Sequence, residues 1–190
     1  LSEQENCGAK LYGFTSVVNS RKKSHRFFFR GVYGAKNLEA KLFDGYENGI
    51  SAVSKFDQIE LKGISQEGFS DSNFESYTYV GPNFLDNTML QMGNLHSHIR
   101  FVHFYVNGEY RGQYSLRERM NDDFMERYFG GLETDYEAIS GSGGGNLSGN
   151  WSPGTAFDGT GAMYNSMVAQ STNYDSWKNY LNTDSYFDFM

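Results

Sequence analysis

The chain has 190 residues, a formal net charge of −7 and a pI near 5.1, which argues against a nucleic-acid partner, because phosphate backbones are bound through clustered Lys and Arg. Its single cysteine excludes an internal disulfide framework and a thiolate metal cage, and no apolar run approaches the roughly 20 residues of a membrane-spanning helix. The hydrophobic fraction is only 38%, but 16 Phe, 14 Tyr and 2 Trp supply enough apolar surface for one domain, or for one domain and part of another.

The sequence of the first half of the chain predicts two strands and a helix. Residues 23–33 are rich in β-formers and end at a Tyr-Gly turn. Residues 56–62 alternate between two sides, as in a half-buried strand. Residues 83–92 have a helical period that Gly93 ends. The apolar stripe of this helix predicts core packing for Leu85, Met89 and Met92.

A β-hairpin is predicted over residues 99–116. Strands at 99–106 and 110–116 flank Asn107-Gly108. A two-residue type I′ turn needs φ above zero at both central positions, which Asn and Gly adopt most readily. The turn dipeptide therefore predicts both the hairpin and its tip.

Helices and a glycine-rich loop are predicted after the hairpin. Asn121 can cap a helix that Gly130-Gly131 ends, and a last helix begins near Asp175. Residues 141–161 are rich in Gly, Ser, Asn and Thr and predict a long loop. The order of elements favours an α+β fold with an antiparallel sheet.

Two motifs resemble ligand-binding sites, but the residues around each motif do not support ligand binding. Gly141–Gly149 lacks the Lys-Ser/Thr of a phosphate-binding P-loop and follows no apolar strand, which favours a plain loop. His96 and His98 have the spacing of some zinc ligands, but no third ligand is evident nearby, which favours a satisfied polar pair at the start of a strand. The residues therefore assign neither a catalytic group nor a metal ligand.

One block of residues resembles a known family. The sequence Phe-Val-His-Phe-Tyr-Val-Asn-Gly-Glu-Tyr-Arg-Gly-Gln-Tyr-Ser-Leu-Arg-Glu at 101–118 is similar to the hallmark of the CotH (spore coat protein H) atypical kinase family, in which a strand runs into Asn-Gly-Glu-Tyr-x-Gly-x-Tyr-x-Leu and ends in glutamate. Weaker similarities in the same order extend the resemblance over roughly residues 20–190. They are Lys23–Phe27 with Tyr33-Gly34, Phe56–Lys62, Asp135-Tyr136 and Asp184–Met190.

The resemblance implies an atypical protein-kinase-like architecture. It implies an N-terminal extension at 1–20, a sheet lobe at 20–120 and the start of a helical lobe at 121–190 that contains the loop at 141–161. Kinases of this kind use ATP and Mg²⁺. The resemblance implies these cofactors for the full-length protein, and this chain alone is expected to bind Mg²⁺-ATP weakly or not at all. The family's catalytic and metal-binding loop is expected beyond the helix at 176–190, so the resemblance assigns no catalytic or metal-binding residue to this chain.

The resemblance also implies candidates for nucleotide binding. Lys62, where the family usually has arginine, is the candidate cation for the phosphates, with a solvated edge lysine as the alternative. Glu118 is expected to face the nucleotide or to orient a cation, with a surface salt bridge to Arg117 or Arg119 as the alternative. Arg26 is the third candidate. Lys62 and Glu118 are expected to approach one cleft, between the sheet and the helix at 121–129.

Two functions from different classes follow. The first is part of a bacterial kinase that transfers phosphate from ATP to Ser or Thr of a surface or coat protein, with no activity expected from this chain alone. The second is a non-catalytic secreted module, a pseudokinase that binds protein or glycan through exposed aromatic side chains. Both imply an extracellular, cell-surface or spore-surface location. The apolar side of the last helix suggests self-association.

Overall fold

The chain divides into two compact units, Leu1–Arg119 and Met120–Met190. A computed structural model describes residues 3–13, 15–45, 49–63, 78–140, 155–158, 160–170 and 174–177. The first unit contains an antiparallel five-stranded sheet, and helices occur in both units. The predicted α+β class is therefore confirmed.

The five-stranded sheet has the order β1-β2-β5-β7-β6. Its strands are β1 (Gly8–Tyr12), β2 (Ser24–Phe28), β5 (Gln58–Lys62), β6 (Ile99–Val106) and β7 (Glu109–Glu118). A separate two-stranded sheet and two helices complete the first unit: β3 (Leu38–Glu39), β4 (Lys55–Phe56), α1 (Thr15–Asn19) and α2 (Gly81–Gln91).

The β6–β7 hairpin is confirmed with its predicted tip. Val106 lies opposite Glu109, so the connecting loop is Asn107-Gly108. Their φ angles are 52° and 82°. These are the left-handed conformations that a type I′ turn requires, and Asn and Gly tolerate them at the lowest steric cost.

Both faces of the sheet are covered around β5. One face packs against the segment that contains Phe43 and Phe56, and the other faces α2. Glu60 and Leu61, which point to opposite faces, are each 7% exposed. The prediction of a half-buried strand at 56–62 is therefore wrong, because α2 buries the face that alternation assigned to solvent.

The stripe of α2 that faces the sheet differs from the predicted one. Leu85 and Met92 are 59% and 55% exposed, which contradicts the predicted core packing. The buried side chains are instead Asn83, Asp86 and Leu90. Two of these are polar, and they are buried because β7 supplies their partners. The predicted helix is thus confirmed and its predicted inner face is wrong.

The first helix of the second unit, α3 (Asp122–Phe129), is confirmed at both ends. The Asn121 side chain accepts a hydrogen bond from the Phe124 backbone N–H at 3.0 Å, and Gly130 ends the helix with φ of 77°. An Asn cap satisfies one of the otherwise unpaired N–H groups at a helix start.

The rest of the second unit contains elements that the sequence did not predict. A two-stranded sheet pairs β8 (Ala138–Ser140) with β9 (Thr155–Asp158), and α4 spans Ala162–Ala169. Glu137 accepts N–H bonds from Ala162 at 2.8 Å and Met163 at 3.1 Å, so a carboxylate on another segment caps α4.

The predicted loop at 141–161 and the predicted last helix are described only in part. The loop prediction is wrong for β9, and residues 141–154 lie outside the described residues. Helix α5 (Tyr174–Trp177) lies at the predicted start of the last helix, and residues 178–190 lie outside the described residues. Among the described helices, none has the length and apolar character needed to cross a membrane.

Candidate functional site

A group of charged side chains lies on the face of the sheet that α2 covers. Cross-strand register aligns Arg26 of β2 with Glu60 of β5, and Glu60 with Arg117 of β7. Residues two apart in a strand share a face, so Lys62 lies on the same face as Glu60. Arg119, which follows the end of β7, contacts Glu60, and α2 adds Asp86. We call this group the buried charge cluster: Arg26, Glu60, Lys62, Asp86, Arg117 and Arg119.

Glu60 is paired with two of the cluster's arginines. Its Oε1 lies 2.7 Å from Arg26 Nη2 and 3.3 Å from Arg119 Nη1. Its Oε2 accepts a hydrogen bond from the Tyr12 hydroxyl at 2.9 Å. The Arg26 guanidinium also lies 4.6 Å from the centre of the Tyr12 ring. Burial, and then the adjacent Glu60 carboxylate, raise the pKa of the Tyr12 phenol, which therefore remains a hydrogen-bond donor.

Asp86 brings the second carboxylate to the cluster. Arg117 Nη2 donates to Asp86 Oδ2, and both side chains are buried. His96 Nδ1 lies 3.0 Å from Asp86 Oδ1, without the angle of a hydrogen bond. A residue of α2 thus contacts a residue of β7, the strand between β5 and β6.

Lys62 differs from the arginines of the cluster, because no contact pairs it with Glu60 or Asp86 among the described residues. Within the described ranges, its ammonium forms no ion pair. Burial lowers the pKa of Lys62, and Arg117 lowers it further, while Glu60 and Asp86 act in the opposite direction. The four cations of the cluster outnumber its two carboxylates, so two positive charges are in excess at a partly desolvated site. Such a site favours a multivalent anion.

Glu118 does not share this face, and the expectation of one cleft for Lys62 and Glu118 is wrong. Lys62 lies opposite Ser115, whereas Glu118 lies opposite Ile59, so the two side chains point to opposite faces of the sheet. Glu118 is 3% exposed. The sequence did not predict that Glu118 is buried, because a charged residue at the end of a strand is usually exposed to solvent.

Glu118 contacts His98. Its Oε2 accepts the His98 backbone N–H at 2.8 Å and lies 2.7 Å from His98 Nδ1. His98 Nε2 lies 2.7 Å from the Ile50 carbonyl oxygen, which can only accept, so Nε2 carries a proton. His96 and His98 therefore lie beside different carboxylates, Asp86 and Glu118, and of the two rings that of His98 has a hydrogen-bonding contact at both nitrogens.

Helix α2 is attached to the sheet on both sides of Asp86. At its start, Lys22 Nζ donates to the Tyr79 hydroxyl at 2.7 Å and to the Gln113 carbonyl oxygen. Tyr79 also stacks on Phe101 of β6, with ring centroids 5.8 Å apart. Asn83 Oδ1 accepts from the Ser115 hydroxyl at 3.3 Å, and Leu90 is fully buried.

The chemistry of the cluster suits an anion and not a metal ion. Glu60 and Asp86 each face cations, so neither carboxylate is available as a metal ligand. In the part of the chain that the structure describes, no group of three or more His, Cys, Asp or Glu side chains could hold a metal ion. Of the candidates from the sequence, Arg26 and Lys62 lie together, and the structure adds Arg117 and Asp86.

Comparison with known proteins gives one match. A family model described as CotH kinase protein matches residues 20–190, a range that contains the whole buried charge cluster. No curated protein and no solved structure gives a significant match.

Proposed function

The chain belongs to the CotH kinase family, and from this premise we propose that the buried charge cluster binds the phosphates of ATP, with Lys62 as the principal contact. The observation that carries this proposal is the Lys62 ammonium, which is partly desolvated, has no ion pair among the described residues, and lies in a cluster of four cations and two carboxylates. Phosphoryl transfer depends mainly on positioning and on stabilising charge that develops on phosphate oxygens.

The energetics of Lys62 support a binding role over a structural one. An ammonium that is desolvated without a carboxylate partner costs free energy in the unliganded chain. A bound polyphosphate would supply the missing negative charge and offset that cost. Local destabilisation that a ligand relieves is typical of functional sites.

For the whole protein, we propose transfer of phosphate from ATP to Ser or Thr of a surface or coat protein, at the bacterial cell or spore surface. When bound, Mg²⁺ would neutralise charge on the transferred phosphate. Glu60 and Asp86 are not suited to bind Mg²⁺, because each carboxylate is already paired with an arginine. The contribution of these residues is to bind and orient the phosphates.

The alternative is a pseudokinase that binds protein or glycan. Exposed aromatic rings at the β6–β7 hairpin favour it: Tyr105 and Tyr110 are 59% and 50% exposed, with ring centroids 5.1 Å apart. Phosphate binding at Lys62 and loss of phosphate transfer when Lys62 is replaced would favour the kinase. Phosphate binding with no transfer by the whole protein would favour the pseudokinase.

We expect Lys62→Met to weaken polyphosphate binding and to stabilise the free chain. Calorimetry with ATP or inorganic tripolyphosphate should show at least about a tenfold loss of affinity. The thermal midpoint should rise, because an uncompensated buried cation is removed. The pKa of Lys62 is lowered in the fold, so its cost is complete below that pKa and declines as pH rises towards the value of an unfolded lysine. The gain in midpoint should therefore shrink at alkaline pH.

Lys41→Met is the matched control, because Lys41 is 72% exposed and pairs only with the exposed Asp44 of its own turn among the contacts described. It should change neither binding nor the thermal midpoint appreciably. Unchanged affinity in Lys62→Met would contradict the proposed site, and a lowered midpoint would indicate a structural role for Lys62.

We expect Lys62→Met to reduce phosphate transfer by the full encoded protein at least about a hundredfold, because one phosphate contact is lost in the transition state. Radiolabelled ATP with Mg²⁺ or Mn²⁺ measures this. That this chain alone transfers no phosphate stays a prediction from the family resemblance, and phosphate incorporation by the isolated chain would contradict it.

A further inference from the structure

We infer that Asp86 is a positioning residue of this site, which holds Arg117 towards the bound phosphates, so that the placement of α2 sets the chain's affinity for a polyphosphate. The inference rests on the proposed function and assigns to it a means of regulation. The contact joins helix α2 to strand β7, which lies next to the central strand β5.

Arg117 has the donors that a second phosphate contact needs. It lies on the Lys62 face and is close enough for its charge to lower the pKa of Lys62. A guanidinium has five N–H donors in a planar fork. Among the described residues, the side chain of Arg117 uses only Nη2, which donates to Asp86. The remaining donors suit the planar, paired oxygens of a phosphate.

The negative charge of Asp86 allows an experiment to distinguish two roles for this residue. A carboxylate in an anion-binding cluster opposes the ligand, and in a partly desolvated site that repulsion is not screened as it is in water. If Asp86 acted only through its charge, its neutralisation would tighten polyphosphate binding. If it acts by holding Arg117, its neutralisation weakens binding. The two roles predict opposite signs.

The attachments of α2 explain how affinity could be regulated. Lys22 and Tyr79 hold the start of the helix, and Asn83 contacts Ser115 one turn before Asp86. A ligand or modification that displaced this end of α2 would withdraw Asp86 from Arg117. Arg117 would then lose its orientation while its charge stayed in place.

A double-mutant cycle tests the inference on this chain, with inorganic tripolyphosphate as the ligand and calorimetry as the measurement. The variants are Asp86→Asn, Arg117→Met and the double variant, with Asp86→Glu as the conservative replacement. The double variant removes one charge of each sign, so the net charge of the cluster is unchanged and neither member of the Asp86–Arg117 pair is left without the other. It keeps the test valid if Asp86→Asn alone folds poorly, and circular dichroism monitors folding in each case.

We expect Asp86→Asn to weaken binding about fivefold or more, Asp86→Glu to restore much of the affinity, and the double variant to bind no more weakly than Arg117→Met. Equal or tighter binding by Asp86→Asn would overturn the inference, as would a double variant that retains wild-type affinity or one whose losses simply add. If Asp86→Asn is unfolded, the comparison of the double variant with Arg117→Met decides alone. Failure of the unmodified chain to bind tripolyphosphate would overturn the proposed function and this inference with it.

Discussion

Glu118→Ala is expected to destabilise the first unit by about 3 kcal/mol, because removing one partner of a buried polar pair leaves the other without compensation. The His98 backbone N–H loses its acceptor, and the His98 ring nitrogen Nδ1 loses its polar contact with Oε2. His98 is fully buried, so water cannot replace the carboxylate without opening the sheet. Chemical denaturation of the chain, followed by circular dichroism, measures the loss in the free energy of unfolding.

The same experiment separates this structural role from the nucleotide-facing role that the family resemblance implied for Glu118. A residue that faced the nucleotide would lose ligand affinity with little loss of stability. Glu109→Ala is the matched control, because Glu109 lies on the same strand and pairs with Arg111 at the exposed hairpin. It should cost less than about 0.5 kcal/mol. A stable Glu118→Ala chain with weakened tripolyphosphate binding would contradict our account of Glu118.

Glu60→Ala is expected to cost about 3 kcal/mol, because Arg26 and Arg119, two largely desolvated arginines, each lose their contact with the Glu60 carboxylate. Arg26 and Arg119 both contact Glu60 Oε1, and their side chains are 14% and 13% exposed. The Tyr12 hydroxyl would also lose its acceptor. Repulsion among the remaining cations adds to the cost in the unliganded chain. The free energy of unfolding by urea measures it.

Two further measurements sharpen this prediction. Glu39→Ala, at an exposed position of β3, should leave stability nearly unchanged. Tripolyphosphate should restore part of the stability lost in Glu60→Ala, because a ligand that binds the folded state stabilises it and the variant has greater positive charge. A Glu60→Ala chain as stable as the unmodified one would mean that Glu60 does not compensate these arginines.

Under the proposed function, the buried charge cluster lowers the stability of the unliganded chain and provides a site for phosphate. Taking charges out of water is costly, and apolar residues of similar size often stabilise a fold as well or better. Here the carboxylates Glu60 and Asp86 hold arginines, and Lys62 has neither of them as a partner. That asymmetry distinguishes the cluster from a purely structural ion-pair network.

The sequence by itself determined the elements whose signals are local. Asn107-Gly108 specified the hairpin tip, because few residues adopt positive φ at low cost. Asn121 and Gly130 specified the ends of α3 through cap chemistry. The hairpin block at 101–118 also indicated the family, which the match over residues 20–190 established.

Only the tertiary structure decided which face each charged residue occupies and what it contacts. Apolar periodicity placed Leu85 and Met92 inside, yet α2 buries Asn83 and Asp86, because Ser115 and Arg117 lie opposite them. A polar side chain is buried when a distant segment satisfies it, and local periodicity contains no information about that segment. The spacing of Asn83, Asp86 and Leu90 on one helical stripe was the available signal, but without the partner strand it could not be told from a solvated face.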